Sequence, residues 1–88
     1  MHNNRAYGQE TMLIQSLSNR RNRGMTRANI GTEIDDPPIN YAKLAEGMGV
    51  WSAGPIIDPA DLAPALRRAV EVVRQGQPAL VDVVTQTR

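Results

Sequence analysis

Between Gln9 and Leu17 the apolar residues Met12, Leu13, Ile14 and Leu17 fall at helical spacing, which predicts a short helix with one buried face. The following stretch, SNRRNRGMTRANIGTEIDDPPIN, has no period of either kind, holds two glycines and two prolines, and turns from basic to acidic along its length. It predicts a long loop, and a connection of this length inside a compact domain covers a site, contacts a partner or is mobile. NYAKLAEGMG predicts a second helix, with Asn40 as N-cap, Tyr41, Leu44, Ala45 and Met48 on one face, and Gly49 as a left-handed stop. Val50 and Trp51 begin a short strand. DPADLAPALRRAVEVVRQGQP gives the strongest helical signal: Asp58 as N-cap, Pro59 at the first position, and Leu62, Leu66, Ala69, Val70 and Val73 on one stripe. Pro64 lacks an amide hydrogen, so either the regular helix begins near Asp61 with Pro64 in its first turn or the helix bends there. Gly76 and Pro78 end it, and ALVDVV predicts a strand covered on both faces, with Asp82 its only polar residue.

Helix, short strand, helix, buried strand is an α/β pattern with parallel strands. A strand as apolar as Leu80–Val84 needs neighbours, and the chain offers one short strand besides it, so the sheet is expected to be incomplete. Asn3 and Asn4 are then expected at the C-terminal tip of a third strand whose body lies upstream of Met1, where ligands of open α/β sheets bind. On this expectation Ala79–Thr85 is left at a sheet edge and drives association. The whole is one partial domain: residues 1–17 carry the turn and short helix, 18–39 the loop, and 40–88 the helix, strand, helix and terminal strand.

Composition narrows the function classes. With 41% hydrophobic and 22% charged residues the chain has the make-up of a globular domain. Phe is absent and Tyr7, Tyr41 and Trp51 are the aromatic residues, so the core is aliphatic and base-stacking platforms are not expected. The net charge of +1 carries no footprint for a polyanion, and no nucleic-acid partner is expected. Without cysteine there is no disulfide, thiolate metal site or Cys nucleophile. No stretch is apolar and long enough to predict a signal peptide or membrane span, which makes the cytoplasm the default.

NNRAYGQE, DDPPINYAKLAEGMGV and DLAPALRRAVEVVRQGQPALVDVV, in that order, resemble the C-terminal part of the thiamine-diphosphate-binding domain of acetolactate-synthase-like enzymes, the group that includes pyruvate oxidase and benzoylformate decarboxylase. The resemblance runs nearly end to end. It implies part of a three-layer α/β/α parallel-sheet fold, incomplete in this chain, and thiamine diphosphate with Mg²⁺ as cofactors. By position, Asn4 would give its side-chain oxygen and Ala6 its backbone carbonyl to Mg²⁺, with Tyr7 and Gly8 beside the cofactor. It further implies a 2-keto acid substrate, lyase or transferase chemistry, and a homo-oligomer. The chain departs from the family in lacking the Gly-Asp-Gly that supplies the metal carboxylate and the glutamate that activates the cofactor. No catalytic residue is therefore assigned, and the chain alone is expected to be inactive and to bind the cofactors weakly or not at all. Mg²⁺ takes about six oxygen ligands, and a neutral Asn oxygen suits a site that already holds a diphosphate.

Other residues have plainer readings. His2 belongs to a strand end rather than a reaction, Glu10 and Glu46 to solvated helix faces, and Asp35 and Asp36 to a turn before Pro37. Arg20, Arg21, Arg23 and Arg27 read as a solvated loop, ahead of a contact with another subunit or an anion site. Tyr7 is as readily a packing residue as a cofactor contact. The alternative to an enzyme fragment is a small non-catalytic α/β module that self-associates through an open sheet edge.

Overall fold

The computed structural model describes residues 1–86, and the elements run β1 (His2–Asn3), α1 (Gly8–Arg20), α2 (Tyr41–Gly47), β2 (Trp51–Ile56), α3 (Leu62–Arg74) and β3 (Ala79–Val84). They divide into two compact units, one formed by Met1–Asn3 with Asn40–Thr85, the other built on Asn4–Ile39.

The first unit is a parallel three-stranded sheet in the order β1-β3-β2. β3 is therefore central, not an edge: His2 pairs with Val83 on one side, and Trp51, Ser52 and Ala53 pair with Ala79, Leu80 and Val81 on the other. The expectation that Ala79–Thr85 stands at an edge is corrected by this topology, since β2 pairs along it from Ala79 to Val83 on one side and β1 pairs with Val83 and Val84 on the other.

Alternation along the strands sends successive side chains to opposite faces. Ala65 and Ala69 of α3 pack on Val81, with Trp51, Ala53, Ile56, Ala79 and Val83 around them. On the other face the Ser52 hydroxyl donates to the Ala42 carbonyl at 2.7 Å, and the Tyr41 amide donates to Asp82 Oδ2 at 3.2 Å, so α2 covers that side. The result is the three-layer α/β/α arrangement expected from the sequence. Asp82 is fully buried, with Oδ2 engaged by α2 and Oδ1 without a hydrogen-bond partner among the described residues. The β2 register shifts between Ala53 and Ile56, where Gly54 lies against Asp82.

The caps form as read. The Asn40 side chain accepts from the Lys43 amide at 2.9 Å, and Gly49 has φ +78°. Asp58 caps a 3-10 turn over Pro59–Asp61 by accepting from the Ala60 amide at 2.9 Å. α3 follows from Leu62, which leaves Pro64 in the first turn, where its missing amide costs nothing. The buried faces meet expectation at Ala45 and Ala69 and differ elsewhere. In α2 they are Ala42 and Ala45, with Leu44 and Met48 exposed, and in α3 they are Ala65 and Ala69, with Leu66, Val70 and Val73 exposed. Alanine lets a helix axis approach the sheet closely; a leucine at the same position would hold it off.

In the second unit, α1 starts one residue before the predicted Gln9 and ends three residues beyond Leu17. It has no buried residue, and Leu13 is 60% exposed, so the expected buried face is not present among the described residues. The stretch after it is a chain of hydrogen-bonded turns. Ala28 and Thr32 are buried, the Thr32 hydroxyl donates to the Asn29 carbonyl at 3.1 Å, and the Asn29 amide group donates to Glu33 Oε1 at 2.6 Å.

A candidate metal and diphosphate turn

Asn4 follows β1 directly, and Asn4 to Gly8 form a tight turn into α1. The Ala6 amide donates to Asn4 Oδ1 at 3.2 Å, which closes the turn with the asparagine side chain. Between these two residues Arg5 sits at φ +54°, in the left-handed region.

Ala6 forms an antiparallel bridge with Glu33. The hydrogen bonds flank it: Tyr7 N–H to the Thr32 carbonyl and Ile34 N–H to the Arg5 carbonyl, each 2.7 Å. In such a pair the bridged residue's own N–H and C=O point away from the partner strand. The Ala6 carbonyl thus shares an edge with its amide, which already meets Asn4 Oδ1. Two neutral oxygens of the assigned residues, one side-chain and one main-chain, are brought to the same side of one turn. Asn4 Oδ1 has two lone pairs, so its bond to Ala6 leaves one for a further partner.

The turn is braced from both flanks. Arg5 Nη1 bonds Asp35 Oδ1 at 2.9 Å, and the Thr11 hydroxyl of α1 donates to the Thr32 hydroxyl at 2.7 Å. Tyr7 contributes through its backbone: its amide reaches Thr32 and its carbonyl accepts from Thr11 N–H at 3.1 Å, while its side chain is 58% exposed. Gly8 is the first residue of α1.

Among the described residues no group of three or more His, Cys, Asp or Glu side chains could hold a metal ion. The assigned donors at the turn are two oxygens, and neither is a carboxylate. Those oxygens are of the hard, neutral kind that Mg²⁺ accepts beside phosphate oxygens and water, and they fit it as part of a coordination shell. The other candidates stand apart from the turn in kind. His2 is exposed in β1, Glu10 and Glu46 lie exposed on α1 and α2, and Arg20, Arg21, Arg23 and Arg27 are exposed at and beyond the end of α1.

Sequence reasoning missed Arg5 and Asp35 as a pair. A non-glycine residue in a position that must turn sharply was the available signal for Arg5. Asp35 gave none beyond its place at the acidic end of the loop.

A model of the family described as "Thiamine pyrophosphate enzyme, C-terminal TPP binding domain" matches residues 1–83. No curated protein and no solved structure gives a significant match. No helix among the described residues is long and apolar enough to cross a membrane.

Proposed function

The chain belongs to the C-terminal TPP-binding domain family of thiamine pyrophosphate enzymes, and from that membership we propose that its turn Asn4–Gly8 holds Mg²⁺ and the diphosphate of thiamine diphosphate in an enzyme acting on 2-keto acids. The observation that carries the reading is the placement of Asn4 Oδ1 and the Ala6 carbonyl on one edge of one turn.

Each residue has a part. Asn4 and Ala6 supply oxygens without adding negative charge beside a diphosphate. Tyr7 fixes the turn to Thr32 through its amide, and Gly8 opens α1, whose first-turn amides favour an anion. Bound thiamine diphosphate supplies the carbon nucleophile for carbonyl chemistry. What this chain provides is binding and orientation, and no side chain in it is assigned to move a proton. An acetolactate-synthase-like reaction, lyase or transferase, in a cytoplasmic homo-oligomer is the finer form of the same reading and rests on the resemblance of DDPPINYAKLAEGMGV and GQPALVDVV.

Water-proton relaxation with Mn²⁺ in place of Mg²⁺ tests it. Wild-type chain should enhance relaxation when thiamine diphosphate is present, with affinity weaker than micromolar because two protein oxygens complete only part of the shell. Asn4→Ala should abolish the enhancement. Equal enhancement by the variant would place the metal elsewhere and end this assignment.

A further inference from the structure

We propose that Arg5 and Asp35 are positioning residues, an ion pair that keeps the Asn4–Ala6 turn in the one backbone geometry presenting both oxygens. The inference rests on the reading of this turn as the metal site and adds the device that shapes it.

Arg5 has φ +54°, a region that a side chain with a Cβ disfavours and that glycine takes freely. Something must hold an arginine there. Three contacts do so, all directed at the same three-residue span: Ile34 N–H to the Arg5 carbonyl, Tyr7 N–H to the Thr32 carbonyl, and Arg5 Nη1 to Asp35 Oδ1. The first two fix the backbone on either side of Ala6. The third fixes the side chain of the residue under strain. Asp35 is itself set by a bridge to Pro38, so its carboxylate projects from a closed turn.

If Arg5 relaxed to an ordinary negative φ, the peptide planes on both sides of it would rotate. The Ala6 amide would leave Asn4 Oδ1, and the Ala6 carbonyl would leave the shared edge. The pair has an electrostatic use as well. A guanidinium one residue from each proposed ligand would repel a cation, and the Asp35 carboxylate neutralises it at 2.9 Å.

The experiment compares wild type, Asp35→Ala, Arg5→Gly and the double variant by three readouts: amide exchange at Tyr7 and Ile34, the amide-to-Hα coupling of residue 5, and Mn²⁺ affinity with thiamine diphosphate. Asp35→Ala should speed exchange at both amides by roughly 2–5-fold, the worth of one exposed ion pair, shift the coupling away from its left-handed value, and weaken Mn²⁺. Arg5→Gly on that background should restore exchange and metal affinity together, because glycine holds the conformation without a partner. Unchanged exchange and coupling in Asp35→Ala would overturn the proposal, as would a loss that glycine does not rescue, which would make Asp35 a support of its own loop only. Exchange and coupling are read without metal. A wild-type chain that shows this pattern and binds no Mn²⁺ would sustain the brace and refute the metal reading instead.

Discussion

Gly54 shows how tightly single residues are specified. It has φ +127°, and a Cβ there would stand 2.5 Å from the Asp82 carbonyl oxygen and 2.9 Å from the Asp82 Cβ. Gly47, at the end of α2, has open space where a Cβ would go. We expect Gly54→Ala to cost at least ~2 kcal/mol, from strain together with overlap on a central strand. Gly47→Ala should be neutral or stabilising by up to about 1 kcal/mol; denaturant melts of the two variants check the pair. At this scale the sequence was legible where chemistry is local. Asn40, Asp58 and Gly49 act on amides or turns within three residues, and each does what its type favours. Gly54 and the Arg5–Asp35 pair were not legible, because each depends on a residue about thirty positions away, brought close only by folding.

At the scale of elements the helices and strands were read in the right order, and the residues that bury them only in part: Ala45 and Ala69 lay on the expected faces, Ala42 and Ala65 did not. The reason is physical. Helical periodicity identifies an apolar side by its large residues, and in α3 the stripe of Leu62, Leu66, Ala69, Val70 and Val73 is weighted by them and leaves out Ala65. Packing instead selects the small residues, which permit close contact with Val81. Leu66 remains 47% exposed. Ala69→Leu should therefore cost about 1–3 kcal/mol by overfilling the α3–sheet contact. Leu66→Ala should cost less than ~1 kcal/mol, since half of its surface is already in water. A reversed order in thermal or urea melts would mean that the large residues are the true inner face. In α1 the apolar spacing predicted a helix correctly, and no residue of it is buried among the described residues.

For the whole molecule, the run of apolar residues in ALVDVV identified a parallel strand with both faces covered at Val81 and Asp82, and the resemblance implied the three-layer arrangement. Its place in the strand order could not be read from the chain. β1 contributes two residues, too few to carry any periodic signal, yet those two turn β3 from an edge into the centre of the sheet. The candidate residues Asn4 and Ala6 were assigned through the order of motifs, and the turn's internal geometry, set by Arg5 and its contacts with Ile34 and Asp35, was not legible because it depends on residues far along the chain. The central claim, that this turn takes a divalent cation together with a diphosphate, is tested most directly by recording amide spectra of the chain with thiamine diphosphate while adding Mn²⁺. The account predicts that paramagnetic broadening begins at Asn4, Arg5, Ala6, Tyr7 and Gly8, requires thiamine diphosphate, and vanishes when Mg²⁺ is added in excess. Broadening that begins instead at Glu46 or Glu71, or that proceeds equally without thiamine diphosphate, would contradict it.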